Sequence, residues 1–288
     1  MQKAEKMQEL RVFAQEIRVE TLKTVGSLGF GHVPGAMSVI DALAVLYGEV
    51  MKVDPKNPHW EDRDWCVLSK GHAGPAMYAT LGLKGFYPVE EAYTLNQPHT
   101  NFPSHTDRTK TPGVDMTTGS LGQGCSTAAG IATALAKKGS DAYTYLIVGD
   151  GELNEGQCWE AFQYIANYKM DNLIVFIDDN KRQLDGWTKD IMNPFDYVAK
   201  MQSFGFYTQK VNGQDVVAVD AAITEAKQHK GEALCIVLDT VKGAGVKAFE
   251  EMESNHAPKF NTPELKKTAQ DAVDALNEQV KKLEEEVA

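Results

Sequence analysis

Five short apolar runs do most to limit what this chain can become. They are WCVLS (65–69), YTYLIV (143–148), NLIVFID (172–178), FYTQKV (206–211) and ALCIVLDT (233–240). Most are apolar at every position rather than at every second one, which suits strands covered on both faces. Segments with helix-period apolar spacing lie between them, at 74–83, 124–138, 155–169, 195–205 and 215–229. This alternation predicts an α/β fold with a mostly parallel central sheet, helices on both faces and right-handed crossovers. Such sheets take ligands outside the carboxyl ends of their strands. Two of those ends carry chemistry: 143–148 runs into Gly149-Asp150-Gly151, and 172–178 runs into DNKRQLDG.

The ends of the chain read as helices. Residues 2–24 form a charged, amphipathic helix candidate. Thr262 followed by Pro263 is a helix-start signal. Beyond it Ala269, Val273, Leu276, Val280, Leu283 and Val287 alternate at spacings of four and three. The chain therefore divides into a domain over 1–260 and an amphipathic helix over 261–288. That helix either lies on the domain's own surface or meets another subunit. Polar, Pro-containing stretches at 87–118 and 181–194 read as long loops, which often carry function.

A net charge of -11 argues against a nucleic-acid binder, whose affinity comes from clustered Lys and Arg. It also means that an anionic ligand needs local devices: a metal, helix N-termini or histidines. No stretch approaches the roughly 18 apolar residues of a membrane helix, and the start lacks the apolar centre of a signal peptide. Cys66, Cys125, Cys158 and Cys235 lack CxxC spacing and read as reduced cytoplasmic thiols.

Glycines 149 and 151 let backbone approach a phosphate closely, and the helix that follows offers free N–H groups. Asp150, and Asn180 at the end of the next strand, carry hard oxygen ligands of the kind Mg²⁺ takes alongside diphosphate oxygens and water. GDG alone is common in surface turns; Asn180 thirty residues later on the adjacent strand end is what makes the pair informative. A nicotinamide fingerprint needs GxGxxG between a first strand and helix, and neither GDGELNEG nor GSLGQG (119–124) supplies it in that setting.

The GDG-to-Asn arrangement resembles the thiamine-diphosphate signature. Around it stand Gly31-His32-Val33-Pro34-Gly35, Ser69-Lys70-Gly71-His72, Thr117 to Gly124, and Leu184-Asp185-Gly186. Together they are similar to the N-terminal region of transketolases, from about Met7 to Pro258. The resemblance implies thiamine diphosphate with Mg²⁺, or Ca²⁺ or Mn²⁺ in its place. It implies Asp150, Asn180 and the Arg182 carbonyl as metal ligands. His72 and the backbone of Gly149 and Gly151 face the diphosphate, Gly119 and Leu121 approach the cofactor by backbone, and Leu184 packs on the thiazolium. His32, His105 and His256 match histidines of the substrate channel, and Glu155 and Glu160 match carboxylates at a subunit interface near the pyrimidine. His105 and His256 lie in settings, PSHT and SNHA, that depart from the family's usual His-Pro and His-Gly. His59, His99 and His229 read as surface residues. Bland alternatives stand beside each: structural histidines, a Glu155 that caps or solvates its helix start, an exposed helical Glu160.

Full-length members of that family continue into a pyrimidine-binding domain whose glutamate promotes loss of the thiazolium C2 proton. Nothing in 259–288 resembles it. The resemblance thus implies a split enzyme: this chain and a C-terminal partner subunit, two copies of each, transferring a two-carbon ketol unit from a ketose to an aldose. A related thiamine enzyme such as 1-deoxyxylulose-phosphate synthase, and a non-catalytic cofactor-binding subunit, are the competing readings.

Overall fold

The computed structural model describes residues 2–253 and 256–286. All five apolar runs are strands: β1 (Trp65–Leu68), β2 (Thr144–Gly149), β3 (Leu173–Asp179), then, after a small hairpin of β4 (Arg182–Gln183) and β5 (Gly186–Trp187), β6 (Phe206–Asn212) and β7 (Ala233–Asp239). The large sheet runs β1-β2-β3-β7-β6 and every pairing in it is parallel. Alternate residues feed two cores. Tyr145, Ile147, Phe176, Ile236 and Leu238 face one side; Leu146, Val148, Val175, Ile177 and Val237 face the other. Burial on both faces is why the runs carry no two-residue period.

The helices are α1 (Gln2–Leu28), α2 (Val33–Met37), α3 (Ile40–Val45), α4 (Gly74–Lys84), α5 (Gln123–Lys138), α6 (Gly156–Asn167), α7 (Thr188–Ile191), α8 (Tyr197–Phe204), α9 (Val216–Ala226), α10 (Lys247–Glu250) and α11 (Pro263–Glu285). α5, α6 and α8 cover one face; α1 to α4 and α9 cover the other. The strand ends align: Gly149 pairs with Asp178, and Asp179 with Asp239. The residues just beyond β2, β3 and β7 therefore emerge side by side.

α11 lies against α1. Thr262 caps it, its Oγ1 accepting from Leu265 N at 3.3 Å. Val273 and Leu276 are buried, Val280 and Leu283 are half-buried, and Val287 falls outside the described residues. The first part of the seam packs on this chain's own surface. Two features differ from expectation. α2, α3 and a following π-helical turn over Leu46–Val50 come from a segment with no helical period; α2 and α3 are buried at every position, so no polar face marks them. The 181–194 stretch is structured, holding the β4–β5 hairpin and α7.

Candidate active site

A cleft of about 380 Å³ opens at the carboxyl ends of β1, β2, β3 and β7. β1 leads into Lys70 and His72, β2 into Asp150, β3 into Asn180 and Arg182, and β7 into Lys242. His32, His105, Gly119, Leu121, Glu155, Leu184 and His256 also line it, as do the turn residues Gly149, Gly151 and Glu152. Glu160 does not line it and is exposed on α6. His59 and His99 are exposed, and His229 stacks on Tyr207 with ring centroids 3.5 Å apart.

Asp150 is 3% exposed. Its Oδ1 accepts from Gly151 N at 2.8 Å, while its Oδ2 is buried with nothing to accept from. Burial, and the neighbouring charge of Asp178, push this carboxyl up to about 7. Asn180 is aimed by Asp178, whose Oδ2 accepts from its Nδ2 at 2.8 Å; Asn180 Oδ1 meanwhile accepts from Arg182 N at 3.1 Å. Asp178 also takes bonds from Ser38 Oγ (2.7 Å), Lys70 Nζ (2.5 Å) and Thr240 Oγ1 (2.5 Å). Burial raises the Asp178 carboxyl, but Lys70 and the other donors outweigh it and leave it below the usual range. A Cβ at Gly149 would find nothing of this chain closer than 3.8 Å, so internal packing does not demand that glycine. An orphaned carboxylate oxygen and an oriented amide oxygen, with the backbone of Gly149 and Gly151 in the lining, fit a divalent cation carrying a diphosphate.

Four imidazoles cluster in the same cleft. The His32 ring centroid lies 5.6 Å from His72, 5.6 Å from His105 and 5.0 Å from His256. Burial first, then the charges of neighbouring rings and Lys242, lower His32 and His256 to about 4. Burial also lowers His72 and His105. The cluster is therefore neutral near pH 7, each ring offering one donor and one acceptor. Gly119, at φ +137, brings the next loop against this cluster; a Cβ there would lie 2.9 Å from His105 Cδ2. Lys242 is 3% exposed. Its Nζ lies 3.2 Å from His256 Nδ1 and 3.4 Å from the Gln183 carbonyl. Among the described residues no carboxylate pairs with it, and burial lowers it to about 8. Leu184 is 66% exposed at the mouth, an apolar side chain waiting for an apolar face.

Residues 10–279 match the family model described as "Transketolase, thiamine diphosphate binding domain". The chain belongs to the transketolase family. It is 45% identical to the 6-deoxy-6-sulfo-D-fructose transketolase subunit SqwG of Clostridium sp. (strain MSTE9), over 92% of this chain and 96% of that one. It is 38% identical to an apulose-4-phosphate transketolase subunit of Actinobacillus succinogenes, over 82% and 86%. Among solved structures it resembles the Pichia stipitis transketolase complexed with sedoheptulose 7-phosphate, with a TM-score of 0.80 and 29% identity. That match covers 98% of this chain and 46% of the solved one; the solved transketolases it matches are thus about twice its length.

Within this transketolase domain, sequence reading overlooked Lys70, Asp178 and Lys242 as contributors to the cleft. A usable signal exists for all three. Each lies at or within three residues of the end of a parallel strand, where side chains of this fold converge. A larger cavity of about 720 Å³ lies beside α8. Its Lys181 and Lys210 already pair with Asp179 at 2.8 and 3.2 Å, so they hold little uncompensated charge for an anion. No described helix is long and apolar enough to cross a membrane.

Proposed function

We propose that this chain is the cofactor-binding subunit of a split transketolase, active only with a C-terminal partner carrying the pyrimidine-binding domain. The observation that carries the reading is the buried, unpartnered Oδ2 of Asp150 in one cleft with Asn180 and four neutral imidazoles. In this reading Asp150, Asn180 and the Arg182 carbonyl hold Mg²⁺, or Ca²⁺ or Mn²⁺. The backbone at Gly149 and Gly151, with His72, receives the diphosphate; Gly119 and Leu121 approach by backbone, and Leu184 supports the thiazolium. Thiamine diphosphate, when bound, supplies a carbon nucleophile that stabilises a two-carbon carbanion.

His32, His105 and His256 exchange protons with the hydroxyls and carbonyl oxygen of a ketose donor and an aldose acceptor. A ring that begins neutral can take a proton and return it. Lys242, beside His256, favours negative charge developing on a nearby oxygen. Glu155, exposed at the cleft mouth, and Glu160, exposed on α6, face the partner near the pyrimidine.

Two relatives of nearly the same length are named as subunits, which supports a partner chain; two copies of each is the proposed assembly. Their names cite a sulfonated and a phosphorylated sugar, which supports substrates with a terminal anion. The four cysteines are free and buried, in keeping with a cytoplasmic setting. The test is reconstitution. Purified separately and then mixed, this chain and a C-terminal transketolase subunit should transfer ketol units with Mg²⁺ and thiamine diphosphate, and neither should do so alone. Full turnover by this chain alone overturns the split reading.

A further inference from the structure

The turn that presents Asp150 continues into a carboxylate that the reading above leaves without a role. Glu152 lies in the short 3-10 turn Gly151–Asn154 and is 2% exposed. Its Oε1 accepts from Ser69 Oγ and from Gly122 N at 2.8 Å. Its Oε2 accepts from Gly149 N at 3.1 Å. These donors come from three separate places: the loop after β1, the loop that enters α5, and the last residue of β2. Each of those segments also lines the cleft, through His72, Leu121 and Asp150 respectively.

The three segments meet with almost no slack. A Cβ at Gly124 would lie 2.4 Å from Ser69 Oγ, and one at Gly71 would lie 2.7 Å from the Thr118 carbonyl carbon. A carboxylate is tolerated in so dry a place only when its oxygens are filled. Here the filling groups are the ligand loops themselves. Cys125 and Cys158 approach Glu152 closely enough to suggest a soft-metal set, with ligand atoms within 4.8 Å. That reading fails on saturation: both carboxylate oxygens already accept from the chain, and the Cys158 thiol donates to the Glu152 carbonyl at 3.5 Å.

We propose that Glu152 is a positioning residue whose single carboxylate sets the spacing of the three loops that receive the cofactor's diphosphate end. The inference rests on the cofactor reading of the cleft. Glu152 itself borders the cleft, and groups bonded to a ligand set commonly change affinity by tenfold or more when removed.

The test uses the full chain and two variants, Glu152→Gln and Ser69→Ala. Glu152→Gln keeps the shape but replaces one acceptor oxygen with a donor, which sets it against a backbone N–H. Amide hydrogen exchange in segments 119–124 and 146–152 should quicken about tenfold or more, while β3 amides keep their rates. Thiamine diphosphate with Mg²⁺, titrated well below each variant's melting midpoint, should bind about tenfold more weakly. Ser69→Ala removes one donor only and should give a smaller shift in the same direction; it decides the matter if the Glu152 variant does not fold. Wild-type exchange and affinity in the variants, or a quickening spread equally over β3, overturns the proposal. Failure of the unaltered chain to bind the cofactor would instead count against the cofactor reading, and the exchange comparison would still decide the role of Glu152.

Discussion

Asp150 keeps a buried carboxylate oxygen with nothing to accept from. Leaving such a group unpaired costs about 1–3 kcal/mol, more when it is charged. Removing the charge should therefore help the ligand-free protein while destroying the metal site. Asp150→Asn should melt no lower than the unaltered chain at pH 8 without ligands. Mg²⁺ with thiamine diphosphate should raise the midpoint of the unaltered chain only. Calorimetric melting curves read both effects, and an equal ligand-induced rise in the variant would end the metal assignment. The histidine cluster gives a second prediction. Folded His32 and His256 take up protons only near pH 4, whereas in the unfolded chain they do so near 6.5. Between those values the unfolded chain binds more protons, so their contribution makes stability fall as the pH falls. His256→Gln should flatten the decline of the melting midpoint between pH 6.5 and 4, and an unchanged slope would show that the ring is not held neutral. At this scale the sequence carried the outward-facing chemistry. Asp150, Asn180 and His32 stand in recognisable strings, and the structure brings them to one cleft. Lys70 and Asp178 each stand near a strand end, but no spacing rule joins them as a pair; only the fold places them 2.5 Å apart.

The elements were legible wherever their two environments differ. α5 and α6 each have a wet and a dry side, so their periods show. The five strands have two dry sides and read as unbroken apolar runs. α2 and α3 are dry all round, and a short helix with no polar face looks like any other apolar run. α11 is the opposite case, with a strong apolar seam and two candidate destinations. It packs on α1, and Gln8 Nε2 adds a bond to the Leu283 carbonyl at 3.3 Å. Leu276 is 1% exposed in that seam. Leu276→Ala should cost roughly 2–5 kcal/mol of stability, the range for large-to-small changes in a packed site. Denaturant unfolding of the isolated chain reads this directly. A loss below about 0.5 kcal/mol, the scale of ordinary surface changes, would mean that α11 is not docked on α1 in solution.

At the scale of the whole molecule, a net charge of -11 opposes every anion this domain is proposed to hold. In the proposed reading the cleft answers with short-range devices: a cation held by Asp150 and Asn180, glycine backbone, and Lys242 with no carboxylate partner among the described residues. Such devices act over a few ångströms, so they need loops held rigidly and a mouth closed against water. The chain supplies the first; in the proposed assembly the partner supplies the second. Glu160 separates these contributions. It is exposed on α6 and lies outside the cleft, so within this chain it has little to do. Glu160→Gln should leave the melting midpoint and the cofactor affinity of the isolated chain unchanged, since exposed substitutions stay within about 0.5 kcal/mol. In the reconstituted pair it should lower kcat by about tenfold or more and leave KM nearly constant. That split is the mark of a group that acts in the reaction rather than in binding. An unaltered kcat would return Glu160 to the solvated surface of α6. The partner's contact with this face would then rest on Glu155, and the same pair of measurements on Glu155→Gln would decide it.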